Sequence, residues 1–258
     1  MAVPTDGHDG EPIDALEHLF APLDQAGPGS DASTLAALRA LMPIPTGGAV
    51  YDLGCGPGRQ TLALARALER EITAVDVNRT FLDRLILRAE QADLGEAVAV
   101  VEASMVALDA PPGSIDLIWS EGAAYIVGVE HALKYWWPLL VPGGYVAFTD
   151  LVWLTDDPPP AAQRFWQPAY PAMTSVTETK LACSRHGFHV VGTRALPEED
   201  WRAGYYDPLA DRITALRPQA ADWPELAAVL DETADEMAIF DAHHDSFAYV
   251  FFLLRRPE

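Results

Sequence analysis

Ala49-Val50-Tyr51-Asp52-Leu53-Gly54-Cys55-Gly56-Pro57-Gly58 is the stretch on which the fold turns. Its first five residues read as a buried strand, and Gly47-Gly48 ahead of them mark where it starts. The glycines that follow let the backbone take conformations closed to other residues and approach a ligand closely. Behind the loop, Leu64 and Leu68 lie four apart with Ala65 beside them, the beginning of a helical pattern. Strand, glycine turn and helix in that order open a nucleotide-type α/β unit.

The same rhythm continues outward. Residues 72–75 read as a second strand, closed by Asp76-Val77-Asn78. A helix should follow with Thr80 as N-cap and Asp83 three residues on, carrying Leu82, Leu85, Ile86 and Ala89 along one face. Residues 97–101 and 115–119 give the third and fourth strands, then a helix over 129–137. Pro142-Gly143-Gly144 turns into a fifth strand at 145–148. Strands spaced this way with helices between them predict a parallel sheet built from right-handed crossovers. After Asp150 the pattern changes. A loop at Asp156-Asp157-Pro158-Pro159-Pro160 precedes a helix at 177–186 and a strand at 188–192. Acidic helical sequence comes next, where Asp222 and Glu225 form a capping box ahead of a stripe of Leu226, Leu230, Thr233, Met237 and Phe240. Residues 246–254 are strongly β-prone and should pair antiparallel at the sheet edge.

Composition narrows the function classes. The chain has 258 residues, 50% of them hydrophobic and 21% charged, which excludes a disordered or low-complexity protein. Its longest apolar run near the C-terminus, 247–254, falls well short of the roughly 20 residues a bilayer span needs. Asp6, Asp9 and Glu11 stand where an export signal would carry positive charge, so no export is expected. Cys55 and Cys183 give no disulfide framework and suit a reducing cytoplasm. Seventeen basic against 38 acidic residues leave a net charge of −21. Residues 1–31 hold −7 of it and residues 195–245 hold −10. Such a field repels a phosphate backbone and argues against DNA or RNA as a partner. It is either a solvated surface or a field that draws in a cationic substrate.

The glycine loop is specific enough to exclude two families of site. A dinucleotide fingerprint needs its third glycine at the sixth motif position, and Arg59 stands there. No Lys-Ser/Thr pair follows, so a P-loop is excluded too. The spacing D-x-G-x-G-x-G over Asp52, Gly54, Gly56 and Gly58 resembles motif I of class I S-adenosylmethionine (SAM) methyltransferases. Asp76, 22 residues after Gly54, ends the second strand where a carboxylate can accept both ribose hydroxyls; a helix N-cap is its other reading. The resemblance implies Val77 against the adenine face with Asn78 beside it. It implies Ser104 and Met105 at the adenine, although many members of the family carry Asp where Ser104 stands.

Three further stretches resemble a ubiquinone/menaquinone-biosynthesis-like branch of small-molecule methyltransferases. They are Gln25-Ala26-Gly27-Pro28-Gly29-Ser30, the run from Ile115 through Ser120-Glu121-Gly122-Ala123-Ala124 to Tyr125, and Val152-Trp153-Leu154-Thr155. The resemblance implies an α/β, Rossmann-like, seven-stranded sheet, mostly parallel with the last strand antiparallel. It implies SAM as methyl donor, S-adenosylhomocysteine (SAH) as product, and a variable lid. The divisions expected within one domain are a helical lid at 1–42, a SAM-binding core at 43–194, an acidic helical insertion at 195–245 and a final edge strand at 246–258.

SAM is already an activated electrophile, so the protein's task is alignment, which can lower a barrier by roughly 7–11 kcal/mol. No metal is required, and no Cys/His cluster has zinc spacing. Ligands bind beyond the carboxyl ends of the strands, which places Ser120 and Glu121 at the cofactor. Glu121 is then a holder of the methionine amino group, a general base, or a site for a cationic substrate. His243 and His244 are further candidate bases. Phe20, Tyr125, Trp153, Trp166, Tyr170, Tyr205 and Tyr206 are either core or the wall of a pocket for a small substrate, aromatic or apolar in part. The two acidic zones are expected to close over it as a lid. Ser120-Glu121-Gly122-Ala123 lacks the Asn/Asp-Pro-Pro-aromatic motif of enzymes that methylate nucleobase amino groups. A SAM- or nucleoside-binding protein without methyl transfer is an alternative. An NAD-dependent oxidoreductase is another, and Arg59 argues against it. The acceptor atom (O, N, S or C) and a homodimer stay open.

Overall fold

A computed structural model describes residues 14–258. The first 13 positions of the expected lid, with Asp6, Asp9 and Glu11, lie outside them. The elements run α1 (Ala15–Phe20), α2 (Asp31–Leu41), β1 (Ala49–Leu53), α3 (Arg59–Leu68), β2 (Ile72–Asp76), α4 (Arg79–Gln91), β3 (Val98–Glu102) and β4 (Ile115–Ser120). Then come α5 (Ala124–Val127), α6 (Val129–Trp136), β5 (Leu140–Trp153), α7 (Pro160–Ala169), α8 (Val176–Arg185) and β6 (His189–Ala195). The last part holds α9 (Glu198–Trp201), a π-helical turn (Arg202–Tyr206), α10 (Asp207–Ala220), α11 (Pro224–His243) and β7 (Phe247–Arg255).

Seven strands make one sheet in the order β3-β2-β1-β4-β5-β7-β6. β1 to β5 pair in parallel, and β7 is antiparallel to both its neighbours. This is the Rossmann-like sheet that the sequence predicts, with one correction. The last strand is not at the edge. β7 lies between β5 and β6, and β6 is the edge. Burial explains the exchange: seven of the nine residues of β7 are buried, among them Phe251, Phe252 and Leu254, so it needs cover on both faces and both sides. β6 has five of its seven residues exposed and none buried, and tolerates an open side. β5 is also longer than expected, 14 residues instead of four, because its second half pairs with β7 from Thr149 to Trp153.

Two expected caps are replaced. Asn78, not Thr80, caps α4 by accepting from the Phe81 N–H at 3.0 Å, and Thr80 instead donates to Glu17. Asp222 and Glu225 form no capping box: α11 starts at Pro224, whose missing N–H and fixed φ suit the first helical position. Two buried layers pack on the sheet, one around Leu53, Ile118, Phe148 and Trp136, the other around Val50, Leu64, Trp119 and Phe251.

A third core joins the two acidic segments beyond the strand ends. Leu19 and Phe20 of α1 meet Trp201, Tyr206, Leu209, Leu226, Leu230 and Phe240 there. Trp201 stacks on Phe240 with ring centroids 4.7 Å apart, a contact worth about 0.5–1.5 kcal/mol beyond its burial. Residues 195–245 therefore form a helical cap with its own core, and α1 is part of that core rather than a loose cover. No described helix is long and apolar enough to cross a membrane.

Candidate functional site

The glycine loop is shaped by two different demands. A Cβ on Gly58 would stand 2.2 Å from Leu85 Cδ1, so this glycine exists to let α3 pack against α4. A Cβ on Gly56 would meet nothing within 4 Å, although φ there is +54°. Gly56 lines a cavity of about 750 Å³ at the strand ends, where a side chain would take up ligand space. The Gly56 N–H donates to Asp76 Oδ2 at 2.9 Å, and the Asn78 N–H donates to Asp76 Oδ1 at the same distance. Asp76 thus braces the loop and the start of α4 while keeping an edge of its carboxylate on the cavity.

Of the residues picked out for the cofactor, Gly54, Gly56, Asp76, Val77, Asn78, Ser104, Met105 and Glu121 share this cavity wall. Asp52, Gly58 and Ser120 do not. Asp52 is wholly buried beneath the loop, where Thr61 Oγ1 and Gln60 Nε2 donate to it, and burial raises its carboxyl to about 7. Ser120 is buried as well, its hydroxyl donating to the Leu53 carbonyl at 2.8 Å.

Glu121 has no oxygen to spare. Its Oε1 accepts from Thr34 Oγ1 at 2.6 Å and Trp119 Nε1 at 2.7 Å, and its Oε2 from Arg59 at 2.6 Å. That arrangement makes it an ion-pair anchor between α2, α3 and β4, not a free base. His243 and His244, the other expected bases, lie off the wall in the last turn of α11, where His244 tilts against Phe240.

The far end of the cavity is aromatic. Phe20, Tyr125, Trp166, Tyr170 and Tyr205 line it, joined by Phe165, Phe81 and Tyr249. Trp153 and Tyr206 do not: Trp153 packs edge-on to Phe247, and Tyr206 donates from behind the wall to Glu236 at 2.9 Å. Tyr125 and Tyr170 tilt together at 5.4 Å, and Tyr170 donates to the buried Asp150, whose carboxyl burial raises to about 7.

Glu236 is the residue the sequence did not single out. It sits on the inner face of α11, lines the aromatic end, and burial raises its carboxyl to about 7. Its spacing was a usable signal: three residues after Thr233 and four before Phe240, it interrupts an otherwise inward-facing stripe with an acid. Among the described residues, no cluster of three or more Cys, His, Asp or Glu could hold a metal ion.

The segment from α1 to α2 roofs the cavity. Glu17 accepts from Asn78 Nδ2 at 3.0 Å and Thr80 Oγ1 at 2.8 Å. Arg88 donates to the carbonyls of Asp24 and Pro57, and Gln25 Nε2 bridges the carbonyls of Gly29 and Gly204.

Comparison with known proteins fits this geometry. Residues 50–144 match the family described as "Methyltransferase domain". The chain is 35% identical over 134 residues to a dimethylglycine N-methyltransferase of Parasynechococcus marenigrum, a match covering 51% of this chain and 48% of that protein. It thus spans about half the length of that curated relative. It is 24% identical over the whole of both chains to a 27-O-demethylrifamycin SV methyltransferase of Amycolatopsis mediterranei. Among solved structures, a SAM-dependent methyltransferase from Geobacter sulfurreducens, bound to SAH, superposes with a TM-score of 0.78 at 20% identity, over 95% of this chain and 98% of that one. The residues present fit SAM: an open backbone cradle at Gly56, a strand-end carboxylate at Asp76, and room beyond for a second molecule. Residues 50–144 match a methyltransferase domain, and the chain as a whole shares the fold of that SAM-dependent methyltransferase.

Proposed function

We propose that this protein transfers the methyl group of SAM to a small organic molecule that is aromatic or apolar in part. One observation carries the reading: the Gly56–Asp76 cradle opens into the same cavity whose other end is walled by aromatic rings. SAM would bring a methyl group already activated by its sulfonium. The chain's residues do the rest by holding and orienting. Asp76 would accept from the ribose hydroxyls through the lone pairs that Gly56 and Asn78 leave free. Val77, 69% exposed although apolar, offers a surface for the adenine ring, with Ser104 and Met105 at its edge. The glycine backbone at Gly54 and Gly56 would lie against the methionine part. The roof of α1 and the Gln25–Ser30 segment would keep water from the transfer.

A reducing cytoplasm suits the two buried free thiols of Cys55 and Cys183. The test is calorimetric titration with SAH, followed by transfer of labelled methyl from SAM to a panel of small aromatic and aliphatic acceptors. Micromolar SAH binding with transfer to a panel member is the expected result. Absence of SAH binding would overturn the assignment.

A further inference from the structure

Glu236 stands apart from every other acid of the α11 segment. One oxygen accepts from Tyr206 Oη at 2.9 Å, the other makes no hydrogen bond to any described residue, and the residue lines the cavity. Tyr125, Tyr205 and Tyr249 line the same cavity as Glu236. Glu232, one turn earlier on the same helix, lines the same end. The only cationic side chain in the described wall is Arg59, and Glu121 and Asp31 already hold it. No described group is left to neutralise an anionic substrate. A cation would find carboxylates and π-faces together, the pair of interactions by which proteins hold ammonium groups. Tyr170 strengthens this, since donating its proton toward buried Asp150 makes its ring richer in electrons.

We propose that the methyl acceptor is an organic amine, bound as its ammonium ion, and that the free oxygen of Glu236 both recognises it and takes its proton. This rests on the methyltransferase reading above. The N–H bond breaks toward the Glu236 oxygen and its electron pair stays on nitrogen. That pair attacks the methyl carbon; the methyl–sulfur bond breaks with its electrons going to sulfur, leaving SAH, a methylated ammonium and a protonated Glu236. The proton then leaves to solvent. Tyr206 is a positioning residue that fixes which oxygen of Glu236 faces the substrate.

Benzylammonium, benzyl alcohol and benzoate share one ring and one reach and differ in charge, so they test the idea directly. Each is titrated by calorimetry into the full chain near pH 8, ligand-free and loaded with SAH. Benzylammonium should bind at least ten-fold more tightly than the other two. Glu236→Gln should bring all three within about two-fold of each other while leaving SAH affinity unchanged. Benzylammonium that binds no better than the alcohol, or not at all, overturns the proposal, and this comparison needs no variant to fold. A Glu236→Gln protein that keeps the ten-fold preference overturns it as well. Lack of SAH binding to the wild-type protein defeats the methyltransferase reading instead, and the charge preference of the ligand-free protein is read separately from it.

Discussion

The guanidinium of Arg59 stands 2.6 Å from Oε2 of Glu121, with 12% and 5% of the two side chains exposed. The pair joins the first turn of α3 to the end of β4, and Thr34 of α2 completes it from above by donating to Oε1. Removing one partner of such a pair leaves the other charge buried and uncompensated, which costs about 3–5 kcal/mol. Glu121→Ala should lower stability by less than that in urea melts, because the more exposed Asp31 still pairs with Arg59 at 3.1 Å. The double variant Arg59→Met with Glu121→Leu should recover much of it. Equal losses in the two proteins would mean that the pair is not acting as a unit.

Asp76→Ala removes the acceptor for two backbone N–H groups as well as the proposed ribose contact. Charge-assisted hydrogen bonds are worth about 1.5–3 kcal/mol, so SAH affinity should fall roughly ten- to a hundred-fold. Calorimetry on a variant whose circular dichroism is unchanged makes the measurement. Wild-type affinity in that protein would remove Asp76 from the site.

Gly56 and Gly58 should fail in different ways. Gly58→Ala drives a methyl group into Leu85 and should destabilise the fold by a few kcal/mol, with or without ligand. Gly56→Val should fold at a cost of about 1–2 kcal/mol for its left-handed backbone and lose SAH binding. Thermal melts with and without SAH separate the two: only the wild-type melting temperature and that of Gly58→Ala should rise on adding ligand.

Asp52 and Asp150 set a pH dependence of stability. Burial raises both carboxyls to about 7, against an ordinary value of 3.8 in the unfolded chain. The folded state therefore binds more protons than the unfolded state between those values, and stability falls as pH rises through 7. The melting temperature should drop between pH 5 and pH 8, a loss of order a few kcal/mol. Asp52→Asn should flatten the slope. A melting temperature that climbs over this window would contradict the buried environment of both groups.

The sheet was legible because its signals are local: a strand, a glycine turn and a helix are adjacent in the chain, and Asp52 through Gly58 announce all three. The position of β7 was not, since whether a final strand docks outside β6 or between β6 and β5 depends on partners a hundred residues away. Site residues divided in the same way. Asp76 follows from its distance to Gly54, whereas Glu121 is disarmed by Arg59 and Thr34, which only the packing of α2 brings near. Glu236 was one acid in a very acidic stretch until Tyr206 and the cavity marked it out, while His243 and His244, the more conspicuous residues, fall about two turns later at the end of the same helix.

The place of β7 also sets an order on biosynthesis. A ribosome delivers β5 and β6 before it delivers the strand that belongs between them, so the two must wait apart by twice the ~4.8 Å strand spacing with nothing in the gap. Until Arg255 has emerged, one side of β5 and all of β6 present unpaired backbone groups, the kind of edge that invites the wrong partner. The newborn chain is therefore most vulnerable until β7 is available to pair. Loss of residues 247–255 would leave five paired strands and cut β6 off from the sheet altogether.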